Sequence, residues 1–375
     1  MYPAYYYKAK GVHIWDVKLN QYIDMASMGI GCCMCGYANE TINKEVKSAI
    51  YEGSMSSLNC FEELILAEKL LEMHSFEGMV RYAKTGGEAM TIAVRIARAF
   101  TNKDIIAFTG YHGWHDWYLS ANLENSTNLN VHLLPDLKVG GVPKCLKGTT
   151  IPFEFNNIEQ LKEIIDKNDV GVIIIEPMRH EYPKNNFLEN VQKIAKKIGA
   201  VVIYDCITIG FREIVPELAD IYVYAKAISN GYPMAAIVGK RKIMESCENT
   251  FISSTYWTER IGLVAAIATL RFMKENNVMN YVWHRGNDIG FGWMHLATQF
   301  DLDVTILPPN SLITLKFNYK NAKELEDLFK IEMLKRGYIA GLGVYSSFAH
   351  TKEIINTYLE NVKEVFKTLK EVAKK

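Results

Sequence analysis

No run in this chain reaches the roughly 18 consecutive apolar residues that a membrane-spanning helix needs, so no membrane span is expected. Neither sign of charge is in excess: 42 Lys and Arg stand against 42 Asp and Glu. A chain without a basic surplus lacks the electrostatic footprint of a nucleic-acid or anionic-membrane binder, and neither partner is expected. Residues 1–11 hold three consecutive tyrosines but no basic segment leading into an apolar stretch, so no secretory leader is read there. Cysteine is sparse and odd in number, seven in all, which argues for free thiols in a reducing, cytoplasmic compartment. The one dense group is Cys32-Cys33-Met34-Cys35, and no second Cys or His pair lies near it to complete a zinc set. No metal centre is expected, and these thiols read as small buried side chains in a loop between Gly31 and Gly36.

What is present is an ordinary globular composition. The 375 residues are 49% hydrophobic and 22% charged, enough for a large core and two unequal domains. Short apolar runs at 105–108, 170–175, 201–204, 221–224 and 235–238 are continuous rather than alternating. A sheet covered by helices on both faces needs that pattern. Between them, Ile158, Leu161, Ile164 and Ile165 share one helical face, and Leu188, Val191, Ile194, Ala195 and Ile198 another, with Gly199 suited to the stop. This alternation predicts a mostly parallel sheet. The ends differ. Residues 11–25 read as a hairpin turning at 18–20. The last helix starts from a Thr351 cap with a stripe of Ile355, Tyr358, Leu359, Val362, Phe366 and Leu369. The N-terminal piece and the C-terminal third are expected to form the smaller domain.

Four segments carry candidate chemistry. In the first, a strand runs into Gly86-Gly87-Glu88-Ala89 and a helix patterned by Ile92, Ala93, Ile96 and Ala97. Backbone N–H groups at such a helix start make an anion site, although a Gly-Gly turn also occurs for purely structural reasons. The dinucleotide fingerprint GxGxxG is absent, which argues against a Rossmann dehydrogenase. The second segment, Tyr111-His112-Gly113-Trp114-His115-Asp116-Trp117, follows a strand, where open α/β sheets bind ligands. An aromatic there can stack on a flat ring, and both tryptophans can equally be core. The third ends an apolar strand on Asp205, a costly place for a carboxylate without a cationic partner. A protonated pyridine nitrogen would serve, and so would a role as helix cap or structural acid. In the fourth, Lys226 follows a strand and precedes a turn. A desolvated lysine there has a lowered pKa and a nucleophilic amine, whereas a solvated one does neither.

Together and in this order the segments resemble the class III aminotransferases, more narrowly the glutamate-1-semialdehyde aminomutase-like branch. The likeness starts at Gly11-Val12-His13-Ile14-Trp15-Asp16 and takes in Glu176-Pro177-Met178-Arg179, Gly210-Phe211-Arg212 and Ser253-Ser254-Thr255-Tyr256-Trp257, ending near His350-Thr351. It implies the α/β architecture of fold type I pyridoxal phosphate (PLP) enzymes, a large domain with a mostly parallel sheet flanked by helices plus a smaller α+β domain. The expected bounds are 41–264 for the large PLP-binding domain, with 1–40 and 265–375 for the small one. The resemblance implies that Lys226 forms the internal aldimine and shuttles a proton, and that Asp205 keeps the pyridine nitrogen protonated. It implies that Ile207 and Tyr111 take the two ring faces, that Gly86 and Gly87 donate to the phosphate, and that His112 and Glu176 lie near the cofactor. Thr255 would reach the phosphate of a neighbouring subunit, making a homodimer with shared active sites. Arg179 is the candidate for a substrate carboxylate or phosphate, or else a structural ion pair, and Arg212 reads as structural.

The chain departs from the family pattern at Cys206, where Glu is usual, and at Ile209, where Thr is usual. Both are expected near the cofactor and put its hydrogen-bond network in question. The short stretch before Gly11 leads to an expectation of altered substrate access. The resulting reading is an aminotransferase moving an amino group between a small-molecule donor and a keto or aldehyde acceptor. The alternatives are an intramolecular aminomutase, a PLP-binding protein with impaired catalysis, and an interaction module in which Lys226 is unmodified.

Overall fold

The structure is a computed structural model and describes residues 2–132 and 134–373. Its strands, in chain order, are β1 Tyr6–Lys10, β2 His13–Asp16, β3 Gln21–Met25, β4 Gly78–Ala83, β5 Ile105–Thr109, β6 Thr150–Pro152, β7 Val170–Ile175, β8 Val201–Asp205, β9 Ile221–Tyr224, β10 Ala235–Lys240, β11 Val304–Leu307, β12 Leu312–Phe317, β13 Tyr338–Ala340 and β14 Gly343–Tyr345.

Seven of them form the central sheet in the order β4-β10-β9-β8-β7-β5-β6. The continuous apolar runs are buried on both faces, as two helical layers require. Along β7, Val172 and Ile174 pack into one apolar cluster while Ile173 and Ile175 pack into the other. Helix Gly86–Thr101 covers one face through Ile92, Ala93, Ile96 and Ala97. Helices Phe187–Ile198 and Arg260–Glu275 cover the other through Leu188, Val191, Leu263 and Ala266.

Pairing from β6 through β5, β7 and β8 to β9 is parallel. Strand β10 runs antiparallel to both β9 and β4. The reason is the link between β9 and β10. It carries only a short 3-10 turn, Lys226–Ser229, and a parallel crossover needs a dozen or more residues.

The chain ends build two smaller sheets, β1-β2-β3-β13 and β11-β12-β14. The hairpin at β2 and β3 is held by Asp16, whose carboxylate accepts from the N–H groups of Lys18 and Asn20. Helices Val278–Gln299, Ala322–Lys335 and Lys352–Ala373 pack on these sheets through Trp293, Phe329, Tyr358 and Phe366. Thr351 caps the last helix by accepting from Ile354 N. Arg212 joins the two parts. Fully buried, it donates to the carbonyls of Gly31, Ser311 and Ser346 and lies over the Tyr345 ring. Among the described residues no helix is long and apolar enough to cross a membrane.

Candidate active site

A cleft of about 360 Å³ opens beyond the carboxyl ends of β4, β8 and β9, where open α/β sheets bind ligands. Its walls include Gly86, Gly87, Tyr111, His112, Asp205, Ile207 and Lys226, seven residues singled out in the sequence, together with Cys32 and Thr208.

One wall is the start of helix Gly86–Thr101. Thr85 caps it in a reciprocal box, its hydroxyl accepting from Glu88 N while the Glu88 carboxylate accepts from Thr85 N. That box leaves the N–H groups of Gly86 and Gly87 without any protein acceptor among the described residues. A Cβ on Gly86 would stand 2.8 Å from Ile207, and one on Gly87 would stand 2.9 Å from the His115 ring. Two free donors at a helix start, on residues that leave no room for a side chain, make a cradle that could hold a phosphate.

The floor is Asp205, buried at the end of β8. Its Oδ1 accepts from Ile207 N at 3.0 Å, and its Oδ2 lies 2.8 Å from His112 Nδ1. The other His112 nitrogen faces the Thr109 carbonyl at 3.2 Å. With both nitrogens in contact, one with Asp205 and one with the Thr109 carbonyl, the ring is fixed in place and steadies the carboxylate against rotation.

Lys226 opens the turn after β9 with φ of 48°, a left-handed conformation that few non-glycine residues adopt. Asn230 ends that turn and ties it to the cysteine loop, accepting from Cys35 N and donating to the Gly36 carbonyl. The Lys226 amine donates to Thr208 Oγ1 at 2.8 Å. Burial pushes the amine below its ordinary pKa of 10.5, and the nearby Arg179 charge pushes it the same way.

Arg179 donates through Nη2 to the same Thr208 oxygen and through Nε to Glu176, at 2.9 and 2.8 Å. Burial pulls the guanidinium pKa down, but Glu176 together with Tyr345 and Asp205 pushes it above its ordinary value. Both residues line a second cavity of about 600 Å³ that shares Tyr111 with the first. The structure therefore sets Glu176 one step back from the cleft, behind Arg179.

Thr255 is exposed in a turn and does not line the cleft of its own chain. Trp114 is 71% exposed at the cleft rim, whereas Trp117 is core. Cys206 and Ile209 point away from the cleft into the apolar cluster on the far side of the sheet. Sequence reasoning passed over Thr208, whose only signal is a hydroxyl in the otherwise apolar run 206–209, and over Cys32, which was read as packing. All seven cysteines are free, and among the described residues no group of three or more His, Cys, Asp or Glu could hold a metal ion.

Residues 1–292 match the model of the family described as aminotransferase class-III. The chain belongs to that family. It is 30% identical over 97% of its length to the 3-aminobutyryl-CoA aminotransferase of Cloacimonas acidaminovorans, covering 91% of that protein. It is also 30% identical over 98% of its length to the glutamate-1-semialdehyde 2,1-aminomutase of Nitrosopumilus maritimus, covering 93% of it. Among solved structures, a transaminase with PLP bound superposes with a TM-score of 0.88 at 22% identity, covering 100% of this chain and 93% of that one. An omega-transaminase from Sphaerobacter thermophilus gives 0.86 at 19% identity, covering 100% and 92%. The class III aminotransferase is thus a fold type I, PLP-dependent enzyme, and its cleft brings together a free helix start, a buried carboxylate and an amine that could hold this cofactor.

Proposed function

We propose that this aminotransferase takes an amino group from a small-molecule donor and delivers it to a keto or aldehyde acceptor, with Lys226 as the covalent and proton-moving residue. The observation that carries the reading is one cleft holding a depressed lysine amine, a buried carboxylate and two unsatisfied backbone donors. Pyridoxal phosphate supplies an aldehyde that condenses with amines and a ring that withdraws electrons from the carbon being deprotonated. Gly86 and Gly87 would bind its phosphate, Ile207 and Tyr111 would flank its ring, and Asp205, steadied by His112, would pair with its nitrogen. Lys226 would hold the cofactor covalently and, when freed as an amine, would take and return the substrate proton.

Arg179 has no hydrogen bond from Nη1 to a described residue and is the proposed contact for a substrate carboxylate or phosphate, with Glu176 fixing its orientation. Residues 41–264 are proposed as the cofactor domain, with 1–40 and 265–375 as the smaller one. Thr255, exposed and remote from its own cleft, suits a contact to the cofactor phosphate of a second copy in a homodimer. A full set of free thiols suits the cytoplasm.

The test is a donor screen on purified enzyme, read by the visible absorbance of the bound cofactor. The panel includes α-, β- and ω-amines and 3-aminoacyl thioesters, the last suggested by the Cloacimonas relative. A donor should bleach the absorbance and an acceptor should restore it. Silence across the panel, or an unchanged spectrum in Lys226→Ala, defeats the reading. The aminomutase alternative keeps support from the Nitrosopumilus relative. Isomerisation of one substrate with no keto by-product would decide for it.

A further inference from the structure

The hydroxyl of Thr208 sits between two donors. Arg179 Nη2 approaches it at 2.9 Å and Lys226 Nζ at 2.8 Å. A guanidinium has no acceptor, so toward Arg179 the threonine oxygen only accepts. Its second lone pair is left for the lysine. Arg179 is itself fixed, with its Nε on Glu176 Oε1, while the other Glu176 oxygen accepts from the Tyr111 backbone at 3.4 Å. A continuous polar chain therefore runs from the backbone of the ring-stacking tyrosine, through Glu176, Arg179 and Thr208, to the reactive amine. Thr208 is only 7% exposed, which limits competition from water for the contact.

We propose that Thr208 is the positioning residue of this active site, holding the Lys226 amine by one N–H so that its lone pair turns away from the hydroxyl and toward the carbonyl carbon it attacks. The inference rests on the reading of Lys226 as the cofactor lysine. In the capture step the Lys226 nitrogen forms a carbon–nitrogen double bond. The aldehyde oxygen leaves as water with the two hydrogens from that nitrogen and no redox partner. A fixed amine enters this step in near-attack geometry, whereas a free one must be found among the rotamers of a four-carbon stem. Arg179 adds an electrostatic effect. Its charge polarises the hydroxyl and opposes an ammonium beside it, in keeping with the lowered pKa of Lys226. The same contact receives the lysine whenever substrate displaces it, keeping it near for proton transfer.

The test uses the full chain freed of cofactor, in the variants Thr208→Ala, Thr208→Ser and Thr208→Val. Ala and Ser lose the methyl equally and differ only in the hydroxyl, so the comparison holds even if Val fails to fold. Two rates are followed against pH: capture of added pyridoxal phosphate, read by absorbance, and reductive methylation of Lys226 by formaldehyde and borohydride, read by peptide mass. The capture rate on the pH plateau should fall roughly 10- to 100-fold in Ala relative to Ser, the scale of losing one positioning contact, and Ser should stay near the parent. The methylation midpoint should lie lower in Ala than in Ser, because the acceptor that steadies an ammonium is gone. Equal capture rates and equal midpoints in Ala and Ser overturn the proposal. Lys226→Ala separates the two layers of inference. If it captures cofactor as the parent does, the lysine assignment falls; if it captures none while Ala matches Ser, only the role of Thr208 falls.

Discussion

Gly87→Ala should separate the stability of the protein from its hold on the cofactor. The substitution adds one methyl group to the first turn of helix Gly86–Thr101. Its Cβ would stand 2.9 Å from both Cδ2 and Nε2 of His115, where ordinary contact begins at 3.4 Å. The imidazole cannot simply rotate aside, since its Nδ1 is tied to Thr91 Oγ1 at 3.0 Å. Relief requires the segment carrying His115, which follows Gly110 and Gly113, to shift, and without a phosphate beside it that shift is expected to be tolerated. With a phosphate seated on the N–H groups of Gly86 and Gly87, that shift is opposed. The overpacking penalty, about 1–3 kcal/mol, then falls on the loaded state alone. At about 1.4 kcal/mol per tenfold, the cofactor Kd should rise about 5- to 150-fold. The cofactor-free protein should instead hold its stability or gain up to about 1 kcal/mol, because alanine loses less chain entropy in a helix than glycine. Equilibrium titration of the cofactor and urea denaturation of the cofactor-free protein measure the two effects. A Kd within twofold of the parent would show that the helix start is not the phosphate cradle.

Three further outcomes follow from the same geometry. Burial and Arg179 hold the Lys226 pKa below 10.5, so its neutral form prevails at lower pH than for an exposed lysine. Cofactor capture by the cofactor-free protein should climb with pH and level off before 10.5, and a profile still rising beyond that value contradicts the assignment. Arg212→Ala strands three buried carbonyls, those of Gly31, Ser311 and Ser346, and should cost about 3–5 kcal/mol in urea denaturation, since each buried acceptor left unpaired costs about 1–3 kcal/mol. A loss below about 1 kcal/mol would mean that Arg212 does not join the central sheet to the C-terminal part. Cys206→Glu brings back the residue usual in the family, yet here it would bury a carboxylate where burial first, and Asp205 and Glu176 in addition, already push the Cys206 thiol upward. It should destabilise the protein by about 3 kcal/mol or more without raising turnover, and a gain in activity would refute this.

The central sheet was legible because its strands are buried on both faces. Continuous apolar runs at β5, β7 and β8 leave no other reading once helical patterns separate them. Asp205 and Lys226 stood out for a related reason, since a charged side chain ending such a run needs a partner. Strand direction was not legible, because the β10 run looks the same parallel or antiparallel and only the short turn before it decides. Neighbouring tryptophans could not be told apart either. Trp117 is 6% exposed and Trp114 is 71% exposed, a difference set by a loop rather than by a period. Thr255 was expected to serve the cofactor of a neighbouring subunit, and one chain cannot bring it to a cleft that it is meant to reach from another.

The departures at Cys206 and Ile209 owe their apparent importance to proximity in sequence, and the geometry of a strand end separates proximity from contact. Successive side chains on β8 face opposite sides of the sheet, so Tyr204 enters the far apolar cluster and Asp205 the cleft. Cys206 falls with Tyr204, and the turn that follows, closed by Gly210 N on the Cys206 carbonyl, returns Ile209 to the same far cluster. Residues 206 and 209 therefore shape packing behind the site. The cleft receives Asp205, Ile207 and Thr208 instead. Of these, Asp205 faces the ring nitrogen and Ile207 a ring face in the proposed complex, and Thr208 is the one that touches the Lys226 amine. A motif read as a string gives the four positions after Asp205 equal weight. Read as a strand end with two faces, it leaves chemistry to 207 and 208 and structure to 206 and 209, so an unusual residue at 206 is compatible with a working aminotransferase.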